Sequence, residues 1–282
     1  MTVRFVKMQG TGNDFLLVEG AEQERDWGAL AQAMCDRHRG VGADGLMLVL
    51  PSLRAGVRMR LFNADGSEAE ISGNGVRCLV KYAVERGLAR PREGRVLVEA
   101  VSGMLEAEVF GEEGRVERVR CSMGVPRLAP DQIPVVTDME PPIIDMPLEV
   151  EGLPLTVTCL SMGNPHAVSF VSGPVEQSPL EHLGPKVERH PAFPERVNFA
   201  VAHVVAREHI DVRVWERGVG ETLACGTGSV AAMVAAHLKG LAGERVDITQ
   251  PGGTLTVEWV GGGEVYLLGS AEFVFEGEWP EA

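Results

Sequence analysis

The sequence predicts an α+β protein made of two homologous halves related by a pseudo-twofold axis, each a strand-rich sheet with a helix packed on it. Three observations carry that prediction. The segment SGNGVRCLVKYAVERGL (Ser72–Leu88) is echoed 153 residues later by CGTGSVAAMVAAHLKGL (Cys225–Leu241), so that Gly73 falls on Gly226, Gly75 on Gly228, Gly87 on Gly240 and Leu88 on Leu241. RVLVEAVSGMLEAEV (Arg95–Val109) matches RVDITQPGGTLTVEW (Arg245–Trp259), with Gly103 on Gly253. Near the start of each half, Gly12-Asn13-Asp14-Phe15 is answered by Gly163-Asn164-Pro165-His166. Three matches in one order at nearly constant spacing mark a duplication rather than a chance likeness.

The elements follow in chain order. Gly12-Asn13 and, later, Gly163-Asn164 have the composition of turns. Ser72 is a preferred helix N-cap, and the segment behind it reads as a Gly-rich turn, about 12–14 residues of helix, and a Gly at the helix end. Arg95–Val109 alternates apolar and polar residues like a hairpin. Pro126, Pro130, Pro134, Pro141, Pro142, Pro147 and Pro154 cluster where the halves join. The expected halves are 1–125, with 269–282 returning to it, and 126–268. The second half repeats the order, with Trp215 on Phe62 and Glu221 on Glu68, then the helix behind Cys225 and the hairpin from Arg245.

Composition sets the class. A chain of 282 residues with 45% hydrophobic and 23% charged residues has room for about two globular domains. With 34 Gly and 17 Pro it is rich in turns without being of low complexity. The longest apolar run, Leu46–Leu50, is far short of the ~18–20 residues that span a bilayer. The N-terminal stretch lacks the charged-then-apolar pattern of a secretory signal, so a cytoplasmic location is expected. A net charge of −14 opposes binding to nucleic acid and to anionic membranes. The five cysteines, Cys35, Cys78, Cys121, Cys159 and Cys225, are odd in number and widely spaced, which favours thiols over disulfides. None sits in a metal-binding spacing, so no metal is expected.

The two Gly-rich helix starts carry the chemistry. A helix N-terminus offers unpaired N–H groups and a partial positive charge, and glycines let a ligand approach them closely. Two such ends suit a small carboxylate. Cys225 stands at the cap of the second helix, where the terminus is expected to lower a thiol pKa from ~8.5. Ser72 holds the mirrored place, where a capping role alone would also explain it. Two groups flanking one carbon suggest inversion. One removes the α-proton, the other protonates the opposite face, and both helix starts hold the enediolate charge as an oxyanion hole would. No lysine lies in an evident pyridoxal-phosphate motif, so no cofactor is expected.

Several stretches resemble the diaminopimelate epimerase family: MQGTGNDF (Met8–Phe15), DRHRGVGADGLM (Asp36–Met47), FNADGSEAEISGNGVRC (Phe62–Cys78), GNPHA (Gly163–Ala167), ERHPAFPERVNFA (Glu188–Ala200) and WERGVGETLACGTG (Trp215–Gly228). The resemblance covers nearly the whole chain. It implies a cofactor-independent isomerase of lysine and peptidoglycan biosynthesis that interconverts LL- and meso-diaminopimelate. It also implies two halves, each a mixed sheet curled around a central helix, and a homodimer. Cys225 matches one of the family's two catalytic cysteines. The other falls on Ser72, a departure that implies impaired or altered activity. Gly73, Asn74, Gly226 and Thr227 match groups around the reacting carboxylate. Asn13, Asn63, Asn164, Asn198, Glu216 and Arg217 match residues that hold the zwitterionic substrate, with a buried Arg217 able to fork onto a carboxylate and Glu216 able to meet an ammonium. His166 and Glu216 match polar residues beside the acid/base pair. Gly45 lies where some members carry a glutamine, so no side-chain contact is inferred there. The residues themselves leave blander readings open: Asn13, Asn63, Asn164 and His166 all neighbour turns, and Glu216 and Arg217 could be an exposed strand-end pair. Cys35, Cys78, Cys121 and Cys159 read as packing residues. The alternatives in function are another amino-acid racemase or epimerase on the same scaffold, or a catalytically weak substrate-binding relative.

Overall fold

The computed structural model describes residues 2–20, 25–69, 72–112 and 114–280. The chain forms two compact units, Met1–Ser122 with Leu268–Ala282, and Met123–Leu267. Both are sheets of mixed parallel and antiparallel strands with few helices, the α+β class that the periodicities predict.

In the first unit the order is β1 (Thr2–Gly10), β2 (Asn13–Glu19), α1 (Trp27–Cys35), β3 (Gly45–Leu50), β4 (Val57–Asn63), β5 (Glu68–Ala69), α2 (Gly73–Glu85), β6 (Arg95–Ala100), β7 (Gly103–Phe110) and β8 (Arg118–Ser122). Strands β1 and β2 pair antiparallel, β2 and β3 parallel, β3 and β4 antiparallel, and β4 and β6 parallel. The second unit contains β9 (Ile143–Val150), β10 (Leu153–Ser161), β11 (Pro165–Phe170), α3 (Leu180–Glu188), β12 (Asn198–Ala206), β13 (His209–Glu216), β14 (Gly220–Thr222), α4 (Gly226–Leu238), β15 (Arg245–Gln250) and β16 (Gly253–Glu258), and β17 (Tyr266–Gly269) carries the chain across the boundary after Leu267. From β10 onward it repeats the same senses: β10–β11 antiparallel, β11–β12 parallel, β12–β13 antiparallel, β13–β15 parallel. The last strand, β18 (Glu272–Pro280), pairs with β1 in the first unit, while β9, which carries Pro147 from the proline-rich stretch, lies in the corresponding place against β10.

Helices α2 and α4 are each 13 residues long, and the chain leaves both through a glycine with left-handed backbone, Gly87 at φ 73° and Gly240 at φ 71°. Every residue of α4 from Gly228 to Ala236 is buried, the signature of a helix enclosed on all sides. In the second unit strand alternation sorts the core into two layers. Leu160, Val168, Ala200, Val212 and Val214 face α4, whereas Cys159, Ala167, Phe199, Val201 and Trp215 pack with Leu180, Leu183 and Val187 of α3.

Candidate active site

Strand parity places three of the nominated residues of the second unit. His166 shares a face with Val168, Asn198 with Ala200, and Glu216 with Val214, so all three side chains stand on the α4 side of the sheet. His166 and Asn198 are paired directly, and Phe199 pairs with Trp215, so the three residues line up along one edge of the sheet. That edge meets the start of α4, where Cys225 is the N-cap and its sulfur accepts the Gly228 N–H at 3.4 Å. A Cβ at Gly228 would come to 3.3 Å from that sulfur and 2.9 Å from Val214, so only glycine leaves the thiol undisturbed there.

A continuous hydrogen-bond chain runs through this corner. The Cys225 thiol donates to Glu216 Oε2 at 3.1 Å, and Thr222 donates to Glu216 Oε1 at 2.6 Å. Cys225 Sγ lies 3.5 Å from the Thr227 hydroxyl, which accepts from Asn164 Nδ2 at 3.3 Å. Asn164 Oδ1 in turn lies 3.0 Å from His166 Nε2. His166 is fully buried, with Nδ1 unpartnered. Burial, and then the charge of Arg217, push its pKa down to about 3, so the ring is neutral. Gln250 clamps the Cys225 backbone, accepting from its N–H at 2.7 Å and donating to its C=O at 3.0 Å.

Two expectations need correction here. The helix terminus does not lower the Cys225 pKa: the thiol is pushed up, first by burial and then by the Glu216 carboxylate, against the smaller opposing pull of Thr227 and Gly228. Desolvation of a nearly closed site outweighs the helix dipole. Arg217 is not buried. Its side chain is exposed and donates to the Glu195 carbonyl at 2.9 Å, because β13 ends at Glu216 and Arg217 opens the turn that follows. Its backbone N–H joins the site, donating to Asn198 Oδ1 at 2.8 Å, while Asn198 Nδ2 donates to the Pro165 carbonyl at 3.0 Å.

In the first unit Ser72 caps α2, accepting the Gly75 N–H at 3.2 Å. Its backbone, φ −134° and ψ 123°, nearly repeats that of Cys225, φ −125° and ψ 110°. Asn74 is buried and donates from Nδ2 to Asn13 Oδ1 at 3.2 Å. Asn63, by contrast, is exposed and donates to Ser67 Oγ at 3.0 Å within its own turn. The N–H groups of Gly73 and Asn74, like those of Gly226 and Thr227, belong to first turns, which have no intrahelical acceptor for them.

Residues that the sequence did not nominate complete each corner. Thr222, Gln250 and Asp44 are reached only through strand pairing or long-range bonds and carry no local signal. Arg77 is fully buried, donating from Nη2 to Thr11 Oγ1 at 2.8 Å and from Nε to the Ser270 carbonyl at 3.2 Å, with Nη1 unpartnered. It ties the β1–β2 turn to α2. Its one visible signal was its spacing, three residues before buried Val80 on the same helix. An open depression of about 450 Å³, lined by Arg25, Trp27, Arg60, Phe62 and Glu68 among others, contains none of the nominated residues. Among the described residues no group of three or more His, Cys, Asp or Glu side chains is placed to hold a metal ion, and no helix is long and apolar enough to cross a membrane. All five cysteines are buried thiols.

Comparison with known proteins supplies the family. The sequence model described as Diaminopimelate epimerase matches residues 5–129 and 158–274. The diaminopimelate epimerase of Pelotomaculum thermopropionicum is 48% identical over 284 residues, covering 99% of both chains, and that of Acetivibrio thermocellus is 45% identical over 278 residues, covering 98% of both. Among solved structures, a Bacillus anthracis phenazine biosynthesis protein of the PhzF family superposes with a TM-score of 0.73 at 18% identity, covering 100% of both chains. A hydroxyproline epimerase from Agrobacterium vitis does so with a TM-score of 0.71 at 15% identity, covering 99% of this chain and 92% of that one; at such identities both speak for the fold alone. The sequence matches span both duplicated units and every stretch described above, and the chain belongs to the diaminopimelate epimerase family.

Proposed function

We propose that this protein is a cofactor-independent isomerase that moves a proton at the α-carbon of diaminopimelate, with Cys225 as one acid/base group and Ser72 in the place of the other. The observation that carries this reading is the Cys225 corner: a buried thiol at a helix start, hydrogen-bonded to the Glu216 carboxylate at 3.1 Å and next to orphan backbone donors. Glu216 takes the thiol proton as substrate binds, and the thiolate then removes the α-hydrogen of one stereoisomer. The electron pair left on carbon delocalises into the carboxylate, whose oxygens the first-turn N–H groups hold. Inversion requires a proton delivered to the other face, the role of position 72. A hydroxyl performs that role poorly, so Ser72 slows inversion without preventing exchange at the Cys225 face. Asn13, Asn164 and Asn198 supply the donors and acceptors that a zwitterion needs, and Thr227 lines the carboxylate. His166, neutral and buried, orients Asn164. Asn63 and Arg217 are the outer members of the substrate set.

The test uses deuterated water. The protein is incubated with LL- or meso-diaminopimelate, the α-proton signal is followed by NMR, and the isomer ratio by chiral chromatography. Loss of the α-proton from one isomer faster than inversion supports the reading. Exchange of neither isomer refutes it and favours a substrate-binding protein. A homodimer in the cytoplasm belongs to the same reading; the exposed Phe273, Val274 and Phe275 on β18 support self-association, which light scattering measures directly.

A further inference from the structure

The first unit holds a hydrogen-bond relay that has no counterpart in the second. Asp44 is fixed from three sides. Arg37 donates to its Oδ1 at 2.7 Å, the Asp14 N–H donates to its Oδ2 at 3.0 Å, and its own N–H donates to Asp14 Oδ1 at 3.0 Å. Asp14 is itself anchored by Arg37 at 2.7 Å and Lys7 at 2.9 Å. Burial raises the Asp14 pKa, but the bonds from these two cations outweigh it and hold the carboxylate below its ordinary range. The remaining bond of Asp44 is from Asn13 Nδ2, at 2.6 Å.

A carboxylate only accepts hydrogen bonds, so Asn13 must turn its amide nitrogen to Asp44 and its carbonyl oxygen away. That oxygen meets Asn74, which must therefore offer its own nitrogen, at 3.2 Å. The Asn74 carbonyl oxygen is left buried and without a partner. One charge thus sets two amides in series, and the end of the series is an empty acceptor beside the orphan N–H donors of α2. In the second unit the equivalent of Asp44 is Val197, and Asn164, the equivalent of Asn13, has its carbonyl oxygen committed to His166.

Donors alone would suit a bare carboxylate. A buried acceptor next to them suits a cation that carries N–H groups, and burying such an acceptor without a partner is costly. We propose that Asp44 is a positioning residue: through Asn13 it fixes the Asn74 amide so that the Asn74 carbonyl oxygen receives an N–H of a substrate ammonium group. The relay makes the first unit selective for amino acids over simple carboxylic acids, and this ligand class rests on the functional reading above.

Asp44→Asn and Asn74→Ala in the full chain test it. The second variant removes the acceptor directly, at a helix position that tolerates alanine well. Calorimetry measures affinity for meso-diaminopimelate and for pimelate, the same diacid without amino groups. Each variant is expected to weaken diaminopimelate binding by roughly ten- to a hundredfold, the worth of one hydrogen bond to a charged group, while pimelate changes by less than about twofold. NMR of the side-chain amides reads the relay without any ligand. The Asn13 amide protons should sit at the shift of a carboxylate-bonded amide in the unaltered protein and move to that of a solvent-bonded amide in Asp44→Asn. Parallel weakening of both ligands, or no weakening of diaminopimelate in Asn74→Ala, overturns the proposal. So does a solvent-like Asn13 amide in the unaltered protein. Should the unaltered protein bind neither ligand and exchange no α-proton, the functional reading and the ligand class fall together, and the amide spectrum still decides whether the relay exists.

Discussion

Placing a thiol at position 72 is the sharpest perturbation this structure offers. Ser72 and Cys225 cap equivalent helices with nearly the same backbone angles, and each accepts the N–H three residues on, at 3.2 and 3.4 Å. A cysteine at 72 therefore fits the serine rotamer without moving the chain. Its ionisation should be easier than that of Cys225. The Glu216 carboxylate that helps to hold Cys225 protonated has Asn63 in its place in the first unit, and Asn63 is exposed and bonded within its own turn. An ordinary thiol near pKa ~8.5 is about one-tenth thiolate at a pH of about 7.5, whereas a serine alkoxide is scarcely populated at all. A missing general acid or base typically lowers a rate by ~10²–10⁴-fold, so Ser72→Cys should raise epimerisation of diaminopimelate by about that factor. Because inversion needs one thiolate and one thiol, the rate should climb about tenfold per pH unit until the first of the pair titrates, and fall again where the second also loses its proton. Chiral chromatography of timed reactions from roughly pH 6 to 9 measures both features. A folded Ser72→Cys protein that binds diaminopimelate and inverts it no faster refutes the assignment of position 72.

Three further outcomes follow from the geometry. Glu216→Gln removes both the charge that raises the Cys225 pKa and the acceptor of its proton, so the ultraviolet absorbance of the thiolate should appear at lower pH while α-proton exchange falls by ~10²–10⁴-fold; a parallel rise in exchange would show that Glu216 plays no part in proton transfer. His166, neutral and held near 3 against an ordinary 6.5, binds a proton in the unfolded chain that the folded one refuses. Its contribution to stability is complete above the unfolded value of about 6.5 and is lost as pH falls toward about 3, at up to about 1.4 kcal/mol per pH unit, and His166→Gln should flatten that limb in urea titrations. A Cβ at Gly184 would lie 2.5 Å from the Trp215 ring, which cannot swing aside because its Nε1 donates to Glu188 at 2.8 Å. The clash exceeds the ~1 kcal/mol that alanine gains in a helix, so Gly184→Ala should lower stability by about 1–2 kcal/mol and the Tm with it.

How far the sequence spoke depends on how local each signal is. The two Gly-rich helices, their caps at Ser72 and Cys225 and their closing glycines were legible because capping and left-handed exits are decided within one or two turns of chain. His166, Asn198 and Glu216 could be nominated only by resemblance. Their convergence needs the register of three strands, which no short stretch encodes. Arg217 was expected to be buried and is exposed because β13 ends at Glu216 and Arg217 opens the turn that follows. The direction of the Cys225 pKa was misjudged for a related reason. A helix terminus is visible in the sequence, but the burial that outweighs it is a property of the packed corner. Asp44 and Gln250 act across long stretches of chain and were silent.

The duplication also shows where the two units have parted. The parallel and antiparallel pairings that align Phe15, Gly45 and Asn63 in the first unit align His166, Asn198 and Glu216 in the second. One backbone thus carries an apolar residue, a glycine and an exposed amide at one helix start, and a neutral imidazole, an amide and a carboxylate at the other. The first start has a buried cation, Arg77, where the second has Val230. On the proposed mechanism the two positions are therefore not interchangeable: the thiol of the second has a carboxylate beside it, and the first has an exposed amide in that place. Moving the single thiol tests this. With Cys225 alone, one stereoisomer should lose its α-proton to deuterium. In the double variant Ser72→Cys with Cys225→Ser, the other isomer should do so, since the remaining thiol then addresses the opposite face, and its rate should depend less steeply on Glu216. Exchange of the same isomer by both proteins would mean that one thiol reaches the carbon from either position, and the two-face mechanism would have to be given up.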